Sequence, residues 1–160
     1  MEKKKIFVTL GSQEFQFNRL LKVLDDEKLN ENYEIFAQRG HSDYIPKLYK
    51  TIDFVSRDEF LENVSNADII ITHAGTGAII SALKANKPVI AVARLSKYNE
   101  HVDDHQTEIL KVFTDKNYIY GSTEINDINK ELNNALCKTY DKFVSNTDKF
   151  VENLINLIGE

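Results

Sequence analysis

Short apolar runs alternate with helical spacings along this chain. Residues 6–10, Ile-Phe-Val-Thr-Leu, are apolar, partly β-branched and closed by Gly11, which predicts a buried strand. Phe17, Leu20, Leu21 and Leu24 then recur at helical spacing and predict a helix. Strands two and three are predicted over 33–37 and 52–55. A short helix follows over 58–64, with Ser56 or Asp58 as its cap. The Ile-Ile-Ile run within 68–72 predicts a central strand, and 76–85 predicts a helix halted by Asn86-Lys87-Pro88. Residues 89–92 predict another strand, 101–113 a helix and 118–120 a last short strand. Two helices close the chain, roughly over 124–137 and 140–158.

Alternating strands and helices predict an α/β fold: a doubly wound, Rossmann-like parallel sheet covered on both faces. The whole chain, 1–160, reads as one domain, with 139–160 as a C-terminal amphipathic helix. That helix carries Tyr140, Phe143, Val144, Phe150, Val151, Leu154, Ile155 and Ile158 as an apolar stripe. Such a stripe covers its own domain or docks a partner.

Composition narrows the function classes. With 42% hydrophobic and 28% charged residues the chain is an ordinary globular one. A formal net charge of -5 argues against nucleic acid as the partner of the whole chain. A single cysteine, Cys137, cannot build an internal disulfide framework, and its place in a predicted helix suits packing. No apolar run approaches the roughly 20 residues that span a bilayer. Lys3-Lys4-Lys5 leads straight into the first strand, without a signal peptide's apolar core. The expectation is a cytoplasmic protein whose membrane contact is peripheral or made through a partner.

In doubly wound folds the ligand sits beyond the carboxyl ends of the strands, so the residues there carry the chemistry. Strand one ends in Gly11-Ser12-Gln13, either a simple turn or a loop whose backbone approaches a ligand. The fourth strand ends in His73-Ala74-Gly75-Thr76-Gly77-Ala78 and a helix starts at once. Free N–H groups and the positive end of the helix dipole there suit a phosphate or diphosphate. The alternative is a tight turn with close helix–strand packing. After the fifth strand come Arg94 and a polar stretch, Tyr98-Asn99-Glu100-His101-Val102-Asp103-Asp104-His105-Gln106. Asp104 and Gln106 have the donors and acceptors that sugar hydroxyls need. His101 and His105 fall on one face of the predicted helix, but no third ligand stands at a metal-binding spacing. His41, in the polar loop after strand two, is either a surface residue or a general acid–base, its pKa lying near neutrality.

Four segments together, VTLGSQEFQFNRL, QRGHSDYIP, ITHAGTGAIISALKANKPVIAVAR and YNEHVDDHQTEIL, resemble the glycosyltransferase family 28 C-terminal domain. The similarity is strongest to the small stand-alone members of bacterial exopolysaccharide and capsule synthesis. The eukaryotic catalytic subunit of the dolichol-linked UDP-GlcNAc transferase is similar too. The resemblance implies the C-terminal half of a GT-B glycosyltransferase. It implies a UDP-sugar as donor substrate, no cofactor and no metal. It also implies a separate, membrane-anchored partner subunit that brings a lipid-linked sugar acceptor. By position, Gly11, Ser12 and Gln13 match the family's first phosphate-side loop, and His73, Gly75, Thr76 and Gly77 match the loop facing the diphosphate. Asp104, His105 and Gln106 match the segment touching the donor sugar, and Arg94 and Glu100 fall in the same substrate-binding region. One departure stands out: larger members hold the ribose hydroxyls with a glutamate where this chain has Ser81-Ala82-Leu83. Two rival readings remain open, a sugar-nucleotide epimerase or hydrolase and a UDP-sugar-binding regulatory subunit.

Overall fold

A computed structural model describes residues 2–144. Six parallel strands form one sheet in the order β3-β2-β1-β4-β5-β6. They are β1 Lys4–Thr9, β2 Tyr33–Gln38, β3 Lys50–Ile52, β4 Ile69–His73, β5 Val89–Val92 and β6 Tyr120–Ser122. Helices α1 Asn18–Leu24, α2 Glu27–Asn32, α3 Arg57–Asn66, α4 Thr76–Lys84, α5 His105–Asp115 and α6 Ile128–Cys137 connect them. This is the expected doubly wound, Rossmann-like sheet.

Period-two alternation divides the core into two layers. Ile6, Val8, Ile69, Ile71, Ile90 and Val92 face Leu20, Leu21 and Leu24 of α1, Leu29 of α2 and Leu132 of α6. Phe7, Ile70, Val89 and Ala91 face the other way, onto Val64 of α3, Ile79, Ala82 and Leu83 of α4 and Leu110 and Phe113 of α5. Every residue of β4 is buried, as a strand covered on both faces requires.

Several boundaries depart from the sequence expectation. Helix α2 was not anticipated: it buries Leu29 alone and so carries no apolar period, but the Asp26 carboxylate caps it by accepting from the Leu29 N–H. Strand β3 sits at Lys50–Ile52, ahead of the apolar 52–55 run, and Phe54 is exposed. An edge strand takes its register from backbone pairing with Phe36–Gln38 rather than from burial. Ser56, not Asp58, caps α3, in a reciprocal box with Glu59. Strand β6 begins two residues later than expected because Asn117, at φ 59°, terminates α5 and the Tyr118 N–H returns to the Phe113 carbonyl. Cys137 ends α6 exposed rather than packed.

The expected last helix meets the described residues only over 140–144, and these are not helical. Tyr140 donates its hydroxyl to the Ala135 carbonyl, and Phe143 is buried edge-on against Tyr118. The rest of the stripe, from Phe150 to Ile158, lies outside the described residues. No helix among the described residues is long and apolar enough to cross a membrane.

Candidate functional site

Three central strands end in polar side chains at the carboxyl edge of the sheet. Thr9 of β1 pairs with Gln38 of β2 and Thr72 of β4, and His73 is the last residue of β4. The Thr72 hydroxyl donates to the Thr9 carbonyl at 2.9 Å, which fixes this edge. Immediately beyond it opens a cleft of about 450 Å³. Gly11, Ser12 and Gln13 form one wall, and His73, Gly75, Thr76, Gly77, Ala78 and Ser81 form the opposite one. Gln38, Val55, Ser56, Arg57 and Phe60 close the side toward α3. Arg57 is the one cation among the described residues lining the cleft, and no carboxylate lines it.

His73 lies at the centre, 8% exposed. Two glycines bracket its ring. A Cβ on Gly11 would stand 2.6 Å from Nε2, and a Cβ on Gly75 would stand equally close. Gly11 also has φ +76°, in the left-handed region that side chains resist. Gly75 is the N-cap of α4 with ordinary extended dihedrals, so its glycine is required by the imidazole alone. Gly77 differs from both: nothing lies within 4 Å of where its Cβ would be. Burial is the main force holding the His73 pKa down to about 3, reinforced by Arg94 and His101, so the ring is neutral at physiological pH.

Behind His73 stands a buried polar cluster. Arg94 has no exposed surface; its Nη2 donates to the carbonyls of Leu10, at 2.8 Å, and Phe15, at 3.1 Å. Its guanidinium also stacks over Phe17. Gln106 is buried, and its Oε1 accepts from the Arg94 backbone N–H at 2.9 Å. Glu100, 1% exposed, accepts from Nε and Nη2 of Arg19, each at 2.9 Å, and from the Leu95 N–H at 3.0 Å. Arg94 and Gln106 thus bond each other and backbone, Glu100 bonds Arg19 and the Leu95 N–H, and none of the three lines the cleft.

Asp104 and His105 are also placed apart from the cleft. The Asp104 carboxylate accepts from the N–H and hydroxyl of Ser96, which lower its pKa, and it borders a separate depression with Lys97, Thr107 and Glu124. His105, exposed, opens α5 and contacts Asp103 and Glu108. Because α5 starts there, His101 is not on the helix, and its ring instead contacts Asp103 and stacks on Phe15. No three His, Cys, Asp or Glu side chains among the described residues are grouped to hold a metal ion. His41 is exposed, packs edge-on against Phe54 and does not line the cleft. Thr9, Gln38, Arg57 and Phe60 line the cleft without having been singled out from sequence. Only the β1–β2–β4 register and the packing of α3 bring them there.

Residues 5–157 match the glycosyltransferase family 28 C-terminal domain. The chain belongs to this family. Within family 28, it is 43% identical over 72 residues to the UDP-N-acetylglucosamine transferase subunit ALG13 of Candida albicans, covering 44% of this chain and 22% of that one. It is 28% identical over 130 residues to the protein of the same name in Mus musculus, covering 75% of this chain and 11% of that one. The chain thus spans less than a quarter of the length of these curated relatives. The NMR solution structure of ALG13 superposes with a TM-score of 0.65 at 21% identity, over 99% of this chain and 98% of that one, a likeness of fold. The cleft described above lies where the Gly11–Gln13 and His73–Gly77 loops meet.

Proposed function

We propose that this chain is the donor-binding subunit of a two-component inverting glycosyltransferase, with the UDP diphosphate held in the cleft at the strand ends. One observation carries the reading. Two loops 60 residues apart in sequence converge on the first turn of α4, where Gly77 is a glycine that no neighbour in the fold requires. Leaving that position bare keeps the N–H groups of the turn open to an approaching anion. The cleft suits that charge: Arg57 lines it, and no carboxylate among the described residues does.

Bond cleavage at the sugar leaves negative charge on the departing UDP. The fixed N–H dipoles of the Gly75–Ala78 turn, with Gly11–Gln13 opposite, stabilise it as it develops. On this reading neither a cofactor nor a metal is needed, and transfer withstands chelator. The acceptor hydroxyl needs a base on the far face of the sugar. With no carboxylate among the described residues lining the cleft and His41 outside it, we assign that base to a second subunit, membrane-anchored and presenting a polyprenyl-diphosphate-linked sugar. The chain would then work at the cytoplasmic membrane face. The relatives' name supports a UDP-sugar such as UDP-N-acetylglucosamine as donor, and the setting in capsule or exopolysaccharide synthesis rests on the sequence resemblance. The lack of a base equally suits a second reading, a UDP-sugar-binding subunit with no chemistry of its own. Full activity of the partner alone would select that one.

Calorimetry with UDP and a panel of UDP-sugars tests the proposal, on this chain alone and co-expressed with its partner. Binding that prefers one UDP-sugar and is lost in Gly75→Asp is expected. UDP binding that survives Gly75→Asp would show that the diphosphate lies elsewhere.

A further inference from the structure

The imidazole of His73 has opposite surroundings on its two nitrogens. On the buried side, Gln106 Nε2 is 3.3 Å from Nδ1 and Arg94 Nη1 is 3.5 Å from it. The orientation of the Gln106 amide is fixed independently, because its Oε1 accepts from the Arg94 backbone N–H, a group that can only donate. Its other end is therefore the NH₂ group, a donor. A guanidinium can also only donate. Two donors thus converge on Nδ1, which must present its lone pair, so the ring proton sits on Nε2. That nitrogen has no hydrogen-bond partner among the described residues and faces the cleft between Gly11 and Gly75.

We infer that Gln106 and Arg94 are positioning residues that lock His73 in its Nε2–H tautomer, making the ring a neutral hydrogen-bond donor to an anionic ligand oxygen in the cleft. For its ligand this rests on the UDP-sugar reading. The arrangement inverts the usual relay, in which a carboxylate accepts from Nδ1–H and makes the imidazole a base. Here no carboxylate contacts Nδ1, and the lone pair that could take a proton is spent on Arg94 and Gln106. His73 is thereby barred from acting as the missing general base. Donation from Arg94 into Nδ1 polarises the ring and strengthens Nε2–H as a donor. It also transmits part of a buried positive charge to the cleft without exposing an arginine there. The sequence motif that pairs a strand-end histidine with a glutamine 33 residues later is, on this view, one device: the histidine meets the ligand and the glutamine sets its proton.

Long-range ¹H–¹⁵N spectra of the full chain, labelled at histidine, read the tautomer directly. At neutral pH, His73 should show a protonated, pyrrole-like Nε2 and an unprotonated, pyridine-like Nδ1. Adding UDP should shift the Nε2 resonances. In Gln106→Glu a carboxylate can only accept, so the proton should move to Nδ1 and turn a lone pair toward the cleft. UDP affinity should then fall roughly 10- to 100-fold, as expected when an acceptor faces a charged acceptor. An Nδ1–H or doubly protonated His73 in the wild type overturns the proposal. So does a switched tautomer in Gln106→Glu with UDP affinity unchanged. If Gln106→Glu does not fold, the wild-type tautomer and its response to UDP still decide. An Nε2–H ring in a protein that binds no UDP, alone or with its partner, upholds the lock and defeats only the nucleotide reading.

Discussion

Gly75 and Gly77 stand two residues apart at the start of α4, and replacing each by alanine should have opposite effects on stability. At Gly75 the new Cβ meets His73 Nε2 at 2.6 Å. The ring has little room to retreat, because Gln106 and Arg94 lie 3.3 and 3.5 Å behind its Nδ1. Overpacking of this kind costs about 1–3 kcal/mol, and alanine is also a poorer N-cap than glycine. At about 2–4 °C per kcal/mol for a chain of this size, Gly75→Ala should lower Tm by roughly 5–10 °C. Its displaced ring should weaken UDP binding at least tenfold. At Gly77 a methyl group enters open space within a helix, so Gly77→Ala should stabilise the fold by about 0.5–1 kcal/mol. Its methyl group projects where the ligand would lie, so UDP binding should nonetheless weaken. Urea unfolding followed by circular dichroism, paired with UDP calorimetry on the same samples, measures both quantities. A Gly75→Ala protein as stable as wild type would refute the clamp on His73. A Gly77→Ala protein that binds UDP normally would refute the reason given for that glycine.

Three further predictions follow from particular residues. His73 is neutral when folded and takes up a proton below pH 6.5 when unfolded, so the unfolded state binds more protons between 6.5 and about 3. Its stabilising contribution is therefore complete above pH 6.5 and should fall by about 1.4 kcal/mol per pH unit below it; urea midpoints of wild type and His73→Gln against pH should converge on acidification. Glu100→Ala takes the carboxylate away from the Arg19 guanidinium and the Leu95 N–H; because Arg19 is 21% exposed and keeps the Thr123 and Ala93 carbonyls, the loss should be near the low end for a broken buried pair, about 3 kcal/mol by urea unfolding. Arg57 is exposed at the cleft mouth, so Arg57→Ala should weaken UDP binding about fivefold, roughly 1 kcal/mol, with the difference shrinking at high salt.

Much of the architecture was legible because apolar period and strand-end chemistry are local signals. The Ile69–Ile71 run and the Val89–Val92 run read as buried strands and are buried strands. Gly11–Gln13 and His73–Gly77 could be singled out because glycines at strand ends mark the ligand edge of such sheets. What was not legible depends on long-range geometry. Within the polar stretch over 98–106, where Asp104 and Gln106 read as suited to sugar hydroxyls, the Gln106 amide accepts from the Arg94 N–H just beyond β5 and Glu100 bonds Arg19, 81 residues earlier. The predicted helix over 101–113 takes in Asp103 and Asp104, but the alternative of a helix start capped by one of them is what forms: Asp104 is the N-cap of α5, and the two carboxylates accept from the N–H groups of His105 and Ser96. Nothing in the local pattern separates an aspartate that folds its own loop from one that holds a sugar.

Strand β1 is made first and lies in the middle of the sheet, between β2 and β4. Its pairing with β2 can form once residue 38 is available, but the other edge of Ile6–Thr9 must await β4, whose pairing residues are Ile69–Thr72. At synthesis rates of about 5–20 residues per second, the gap between those strands lasts on the order of 3–12 s. During that time an apolar edge of the nascent chain stays unpaired, open to other chains. The strand order that builds the cleft around a central β1 therefore makes biosynthesis the moment of greatest exposure to aggregation, and slow refolding dominated by distant contacts its counterpart in vitro.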